Sequence, residues 1–288
     1  MTATALIAGL SPKRAVATRV PVTTANTQLT ELELRLETLQ QQYAELNTAI
    51  FEAAQVHRRL CAPTLVRYGP FDIASEIFAV RHLPGDFFTV EETNEGLVIA
   101  LGDIGGKGLA AGMWVSHLAG LIRTHIAENS SPETIVAGIN RDFARLSSVA
   151  PLSSVFVARL NRDSGTLDYC SGGHPPALLL RADGRLESLS EGGPVLGVVA
   201  LARFDCGTVQ LNGGDAMLVC SDGILESFNT EDQEFGSRRL EAEFRRAHGG
   251  SAESMLFSVL GAVQDFAAPR PLTDDMTLVL LTRRERIV

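Results

Sequence analysis

No stretch of the 288-residue chain is apolar over the roughly 20 residues that a helix needs to cross a bilayer, so no membrane span is predicted. Histidine is also scarce. The six His show no metal-binding spacing, which argues against a phosphodiesterase with a His-rich metal site. Lys and Arg number 25 against 34 Asp and Glu, and the net charge of −9 argues against a general nucleic-acid binder. The 45% hydrophobic content nevertheless allows a full core.

The four cysteines, at positions 61, 170, 206 and 220, show no close paired spacing. Two of them stand in apolar, strand-like runs, where a buried and reduced thiol is expected, and this predicts a cytoplasmic protein. Cys61 and Arg67 do have the Cys-x5-Arg spacing of cysteine-dependent phosphatases. Because Pro63 has no amide hydrogen to turn toward a phosphate and the segment contains no glycine, we interpret this match as chance.

The chain does contain a set of aspartates that stand beside glycine or another sharp backbone signal. They are Asp86, Asp103, Asp222, Asp274 and Asp275. A single Asp-Gly pair is typical of a turn. Several such carboxylates without a matching set of His or Cys instead suit a hard divalent ion such as Mg²⁺ or Mn²⁺. The sequence therefore predicts a metal site built from distant segments.

These segments, in their order along the chain, resemble the PPM family of metal-dependent Ser/Thr protein phosphatases, in its bacterial SpoIIE/RsbU-like branch. The resemblance extends from about Phe71 to about Leu281. It rests on Pro-Gly-Asp-Phe-Phe at 84 to 88, Gly-Asp-Ile-Gly-Gly-Lys-Gly-Leu-Ala-Ala at 102 to 111, Gly-Gly-His-Pro-Pro at 172 to 176, Gly-Asp-Ala-Met-Leu-Val-Cys-Ser-Asp-Gly-Ile-Leu-Glu-Ser at 214 to 227, Phe-Gly at 235 to 236 and Asp-Asp-Met-Thr at 274 to 277. Where the family usually has Gly-Gly-Asp and an acid three residues later, this chain has Pro84 and Thr89.

The resemblance implies an α+β fold, an α-β-β-α layered sandwich, and the activity of a metal-dependent protein serine/threonine phosphatase. In this family two divalent ions, Mn²⁺ or Mg²⁺, share a bridging carboxylate, and a water between them attacks phosphorus directly. By position, Asp103 is implied as the bridging ligand. The backbone carbonyl of Ile104 is implied as a further ligand.

The same resemblance assigns the other aspartates. Asp222 and Asp274 complete the ligands of one metal ion, and Asp86 holds a metal-bound water. Asp275 stands where many relatives carry Asn, so it is assigned to support of the ligands, although Asp274 and Asp275 could exchange these roles.

Three further residues of these motifs have alternative interpretations. Lys107 precedes a predicted helix and could attract phosphate, or could serve as a cap or a solvated surface charge. His174 could donate a proton to the leaving serine, but a histidine between Gly and Pro is more often structural. Glu226 could orient a metal-bound water, or could be a plain charge at the end of a strand.

The resemblance also implies a partner. The expected substrate is a phosphoserine or phosphothreonine on a small anti-sigma-factor antagonist in a bacterial partner-switching pathway. The alternative is a catalytically weak or inactive phosphatase fold that only binds its partner. Retention of the expected aspartates argues against that alternative, because repelling carboxylates have no chemical reason to stay together without a metal.

The N-terminal part carries a different pattern, in which apolar positions alternate spacings of three and four. They are Leu29, Leu32, Leu36, Leu39, Tyr43, Leu46, Ile50, Ala53, His57 and Leu60. Thr30 and Glu33 match a capping box, which predicts a helix that begins near Glu31 and ends before Pro63. The heptad pattern predicts a coiled coil and a homodimer. The alternative is a helix packed on its own domain, above all where the pattern weakens at Ala53 and His57.

The predicted organisation is therefore a tail at 1–28, disordered or a transit peptide, a helix at 29–62, and a phosphatase domain at 65–285. Within the domain, the patterns predict strands and helices in an α+β order. The predicted strands are 72–80, 86–91, 96–102, 153–160, 166–170, 177–181, 185–189, 215–221 and 276–283. The predicted helices are 108–128, 132–147, 236–247 and 252–266.

Overall fold

The computed structural model describes residues 22–61, 64–128, 131–146 and 150–285. The chain divides into two units, of which the first ends at Ala49 and the second begins at Ile50. None of the described helices combines the length and the apolar character needed to cross a membrane.

The described part of the first unit is helical. Helix α1, Val22–Leu60, begins upstream of the predicted start near Glu31 and includes the last residues of the predicted tail. No Gly or Pro interrupts the sequence between Val22 and Thr30, so the helix continues through the predicted cap. The rest of that tail, residues 1–21, lies outside the described residues, and so does the transit-peptide alternative. The heptad residues of this unit are each more than half exposed: Leu29, Leu32, Leu36, Leu39, Tyr43 and Leu46.

The second unit consists of strands and paired helices. Its strands are β1 Thr64–Tyr68, β2 Phe71–Phe78, β3 Asp86–Thr93, β4 Gly96–Ile104, β5 Ser153–Leu160, β6 Thr166–Gly172, β7 Ala177–Leu180, β8 Leu186–Leu189, β9 Gly192–Gly193, β10 Gly207–Gln210, β11 Ala216–Cys220 and β12 Met276–Arg283. The helices that lie wholly within this unit are α2 Leu109–Glu128, α3 Pro132–Ala144, α4 Asp222–Leu225, α5 Gly236–Ala247 and α6 Ala252–Ala267.

The strands form two sheets. Sheet A has the order β1-β2-β12-β11-β7-β8, and sheet B has the order β10-β6-β5-β4-β3, with β9 paired to β6. Neighbouring strands are antiparallel except for the short pair of β6 and β9. Because successive side chains of a strand point to opposite faces, each sheet can present one face to the other sheet and one face to helices.

Three layers of apolar packing use these faces. Phe88 of β3 and Phe156 of β5 lie in the layer between the sheets, together with Ile73 of β2. Phe87, the neighbour of Phe88, points to the opposite face and packs with α2 and α3. Helices α5 and α6 cover the outer face of sheet A. The predicted α-β-β-α sandwich is confirmed.

Four elements were not predicted from the sequence. Strand β1, where the sequence predicted no strand, folds back on β2 through Gly69, whose positive φ of 60° suits a tight turn. Strands β9 and β10 and the single-turn helix α4 are two to four residues long. Segments this short carry too few residues for a periodic pattern.

The last part of α1 belongs to the second unit and packs against it. Ala54 and His57 are buried there, as is Cys61 directly after the helix. The Arg123 guanidinium of α2 donates to the Leu60 carbonyl at 3.2 Å and to Glu91 at 2.6 Å, which fixes the end of the helix. The heptad pattern weakens at Ala53 and His57 because this part of the helix faces its own domain.

Candidate active site

Two of the predicted aspartates face each other on neighbouring strands of sheet B. Asp86 opens β3 and lies opposite Asp103 near the end of β4. Asp86 is buried, and the Thr277 hydroxyl donates to its Oδ2 atom at 2.5 Å. Thr277 belongs to β12 of sheet A, so this bond links the two sheets at the aspartates.

The loop before Asp86 lies directly against the end of β4. The Ile104 amide donates to the Gly85 carbonyl at 3.1 Å. A Cβ atom at Gly85 would lie only 2.8 Å from the Ile104 carbonyl oxygen and 3.3 Å from Asp103 Oδ1. Glycine therefore allows the loop to approach the two groups that the resemblance assigns as metal ligands.

Asp222 and Asp274 come from adjacent strand ends of sheet A. Asp222 opens α4 directly after β11, and Asp274 precedes β12, which pairs with β11. Between them, Gly223 packs on the backbone of Asp275, because a Cβ atom there would lie 2.0 Å from the Asp275 carbonyl oxygen. This close packing holds the two carboxyl groups near each other.

Both carboxylate oxygens of Asp275 accept backbone hydrogen bonds. The Val80 amide donates to Oδ1 at 2.8 Å, and the Gly85 amide donates to Oδ2 at 2.9 Å. Asp275 thus fixes the loop that carries Asp86. Asp274 is the more exposed of the two carboxylates, although its Oδ1 accepts the Asp275 amide at 3.0 Å and its Oδ2 faces Lys107.

The aspartates raise one another's pKa. Burial, followed by the charge of Asp222, raises the pKa of Asp103 to about 6. Burial and then the charge of Asp103 raise the pKa of Asp86 well above its ordinary value. The pKa of Asp222 is raised by burial and then by Asp274. Such mutual repulsion means that a nearby cation would stabilise the ionised cluster.

Lys107 supplies one positive charge at this cluster. Its ammonium group lies 2.8 Å from Asp274 Oδ2 and donates to the Thr273 carbonyl at 2.7 Å. In the described part of the chain, no three His, Cys, Asp or Glu side chains are arranged as a ready metal-binding group. The ligand roles therefore stay predictions, but an all-carboxylate donor set with raised pKa values fits hard divalent ions.

The two remaining candidates differ in their surroundings. Glu226 is exposed at the end of α4, and partial burial followed by the charge of Asp222 raises its pKa. His174 is buried, its Nδ1 atom lies 3.0 Å from the Pro175 carbonyl oxygen, and burial lowers its pKa to about 4. Because His174 is neutral near pH 7, the geometry favours its structural interpretation over that of a proton donor.

The Cys61 and Arg67 pair is not arranged as a phosphate loop. Cys61 is buried, and burial raises the pKa of its thiol to about 11. Arg67 lies in β1 and pairs with Asp72 at 3.1 Å. Because Cys61 is buried and Arg67 is held on a strand beside Asp72, the two residues do not surround a phosphate-sized space, which agrees with a chance match.

Sequence reasoning gave no role to the hydroxyl groups beside Asp86. Thr277 donates to Asp86, and Ser221 also hydrogen-bonds to it and lowers its pKa. Both residues lie within the motifs that carry the resemblance, Ser-Asp-Gly and Asp-Asp-Met-Thr. A hydroxyl within two residues of a candidate aspartate in a motif is the signal that could have identified them.

Comparison with known proteins places this geometry in a family. A family model described as Stage II sporulation protein E (SpoIIE) matches residues 93–284. The chain belongs to the SpoIIE family. The matched range includes Asp103, Asp222 and Asp274 and begins after Asp86.

A sequence relative and two solved structures extend this family assignment. Phosphoserine phosphatase RsbU of Bacillus subtilis (strain 168) is 25% identical over 252 residues, covering 86% of this chain and 74% of that protein. The SiaA-PP2C domain of Pseudomonas aeruginosa superposes with a TM-score of 0.73 at 16% identity, covering 83% of this chain and 97% of that domain. The RsbU and RsbW domains of a Mycobacterium tuberculosis protein give a TM-score of 0.68 at 24% identity, covering 78% of this chain and 64% of that one.

Both solved structures share the fold. Together with the family match and RsbU, they make this SpoIIE-family chain a PPM-type protein serine/threonine phosphatase of RsbU/SpoIIE-like signalling. The ordered motifs predicted this class of enzyme.

Proposed function

We propose that this SpoIIE-family protein hydrolyses phosphoserine or phosphothreonine with two divalent ions, Mn²⁺ or Mg²⁺, held by its aspartates. The observation that carries the proposal is the convergence of Asp86, Asp103, Asp222 and Asp274 from the ends of β3, β4, β11 and β12. When bound, such ions activate water and neutralise charge on the phosphoryl oxygens.

The protein groups have separate tasks in this proposal. Asp103 would bind both ions, and the Ile104 carbonyl would be a further ligand. Asp222 and Asp274 would complete the ligands of one ion, and Asp86, whose carboxylate accepts from the Thr277 hydroxyl at 2.5 Å, would hold a metal-bound water. Asp275 holds the loop before Asp86 through the Val80 and Gly85 amides.

Lys107 adds a cation at the edge of this cluster. Its ammonium group binds Asp274 at 2.8 Å and is exposed, so it can turn toward an anionic substrate when Asp274 binds metal. Glu226 lies near Asp222 and could orient water there.

For the substrate, we infer a phosphorylated small anti-sigma-factor antagonist in the cytoplasm. RsbU is a phosphoserine phosphatase, and the Mycobacterium tuberculosis structure joins RsbU and RsbW domains in one protein. The alternative, a binding module without activity, is disfavoured by the retained aspartates.

Hydrolysis of an aryl phosphate and of a phosphoserine peptide tests the proposal directly. We expect turnover with Mn²⁺ or Mg²⁺ and its loss with EDTA, because the nucleophile is water activated by metal. Cys61→Ser should keep the activity of the unchanged protein, since the buried thiol has no part in the reaction.

Two results would contradict this proposal. EDTA-resistant turnover that Cys61→Ser abolishes would restore the cysteine-phosphatase interpretation. Absence of turnover with either metal and either substrate, in a protein that still unfolds cooperatively, would favour the binding module.

We further propose that α1 pairs two copies of the chain. Its exposed heptad residues, among them Leu39, which is 62% exposed, have no apolar surroundings within the described first unit. A second helix would bury this stripe, and the mostly apolar a and d positions with few opposed flanking charges favour a parallel homodimer.

Leu39→Asp should therefore weaken self-association by about tenfold or more, because it places a charge in the buried seam. Light scattering at micromolar concentration measures the change, and Mn²⁺-dependent turnover should change with it although no ligand is removed. Gln41→Asp, the same charge at an exposed f position on the side of the helix opposite the seam, is the matched control. A monomeric unchanged chain, or a Leu39→Asp variant that stays dimeric, contradicts the pairing.

A further inference from the structure

Strands β6 and β10 form a regular antiparallel pair at the edge of sheet B. Gly207 lies opposite Tyr169, and Gln210 lies opposite Thr166. Continuing this register by one position places Cys206, which directly precedes β10, opposite Cys170 of β6.

The backbone hydrogen bonds show which kind of pair this is. The Leu211 amide donates to the Gly165 carbonyl of the neighbouring chain segment at 3.0 Å. Leu211 and Gly165 are therefore a hydrogen-bonded pair. The next pair, Gln210 and Thr166, is not, because the Thr166 carbonyl accepts from Asn161 on its other side at 2.9 Å. The two kinds of pair alternate along an antiparallel ladder, so Cys206 and Cys170, four positions further along, are again a non-hydrogen-bonded pair.

The preceding non-hydrogen-bonded pairs on the same face are in direct side-chain contact. The Thr166 and Gln210 side chains meet at 3.3 Å, and the Thr208 hydroxyl donates to Asp168 at 2.8 Å. Cys170 and Cys206 are the next pair in this row. Opposed Cα atoms at such positions lie about 4.5 Å apart, within the range of about 4.4 to 6.8 Å that a disulfide spans.

The two thiols differ in access but share their surroundings. Cys206 is exposed, and Cys170 is buried. Burial, followed by the charges of Asp168 and Glu133, raises the pKa of Cys206, while a hydrogen bond with the Glu133 backbone lowers it. Glu133, at the start of α3, also raises the pKa of Cys170. After burial, Cys206 is the largest cause of the raised pKa of Cys170, about 12, which agrees with their proximity.

We infer that Cys170 and Cys206 are a redox pair that forms a reversible cross-strand disulfide in the presence of a hydroperoxide. The exposed Cys206 reacts through its ionised fraction: the thiolate attacks the peroxide, the O–O bond breaks, a sulfenic acid forms, and hydroxide leaves and takes up a proton to become water. The Cys170 sulfur then attacks the Cys206 sulfur while its thiol proton passes to the departing oxygen, the S–O bond breaks, and that oxygen leaves as water. Two thiols are oxidised, and hydrogen peroxide is reduced to two waters.

The bond would fasten β10, an edge strand held only by β6 among the described strands, to the rest of sheet B. The inference is independent of the proposed metal site. It assigns a modification to two of the four cysteines, and the other two provide controls.

The test treats the full-length protein with hydrogen peroxide, quenches it, unfolds it and alkylates the remaining thiols. We expect alkylation to fall from four cysteines to two, with a linked peptide pair that contains Cys170 and Cys206, and dithiothreitol to restore all four. Cys206→Ser should abolish this linkage. Cys220→Ser, which removes a buried cysteine outside the pair, should retain it.

Three outcomes would overturn the inference. They are a peroxide-treated protein whose Cys170 is still alkylated while Cys206 carries a sulfinic acid, a disulfide that joins two chains through Cys206, and unchanged thiol loss in Cys206→Ser. Since Cys206 is exposed, its replacement should leave folding intact, and a thermal unfolding scan of the reduced variant checks this.

Discussion

Asp103→Asn is expected to lower Mn²⁺-dependent turnover by about 10³-fold or more, which corresponds to roughly 4 kcal/mol of lost transition-state stabilisation. The reason is its place at the end of β4, opposite Asp86 and within the electrostatic influence of Asp222 and Asp274. Because a bridging ligand binds both ions, its replacement should lower turnover more than replacement of a residue that binds one ion. Initial rates on an aryl phosphate at saturating Mn²⁺ measure the change.

Stability provides an independent readout for the same variant. The pKa of Asp103 is raised to about 6, so the folded protein disfavours its ionised carboxylate. The protonated carboxyl group therefore contributes to the free energy of unfolding at low pH, and this contribution is lost as pH rises through about 6. Asn resembles the neutral form. In EDTA at pH 8, Asp103→Asn should therefore unfold at the same temperature as the unchanged protein or at a higher one.

The matched control is Asp163→Asn, which changes an exposed carboxylate in the turn between β5 and β6. It should alter neither turnover nor stability. Near-normal Mn²⁺-dependent turnover in Asp103→Asn would remove Asp103 from the bridging role. A large loss of stability in EDTA would mean that its carboxylate is needed for folding.

The sequence patterns predicted those elements that are long enough to show a period. Strand β5 was predicted at its observed bounds, and α5 likewise, because alternation in one and amphipathic spacing in the other extend over several residues. The edge strand β10 was missed since it has only four residues and derives its form from pairing with β6. The start of α1 was missed because a capping box can also lie inside a helix.

The candidate aspartates were identified because each stands in a short motif with glycine or a turn signal. The hydrogen bonds that hold these aspartates in place could not be predicted in this way. Asp275 accepts from the Val80 amide, 195 residues away in sequence, and Thr277 donates to Asp86, 191 residues away. Contacts at such separation arise when sheets A and B pack, and no local pattern encodes their partners.

Asp274 and Asp275 are adjacent in sequence, yet their replacement by Ala should produce opposite results. Asp274→Ala is expected to lower Mn²⁺-dependent turnover by about 10²-fold with the smaller effect on unfolding, because its half-exposed carboxylate pairs with Lys107 and accepts only one backbone amide, that of the neighbouring Asp275 at 3.0 Å. Asp275→Ala should instead cost about 1–3 kcal/mol for each amide left without an acceptor, at Val80 and Gly85.

Urea unfolding in EDTA and turnover at increasing Mn²⁺ separate the two effects. Asp275→Asn serves as the conservative comparison, since its amide oxygen can still accept one of the two backbone bonds and should recover part of the lost stability. If Asp275→Ala unfolds normally but has lost its response to Mn²⁺, while Asp274→Ala is merely less stable, the two residues exchange roles. In that case Asp275 binds metal, and its bonds to the loop at Val80 and Gly85 must open for it to do so.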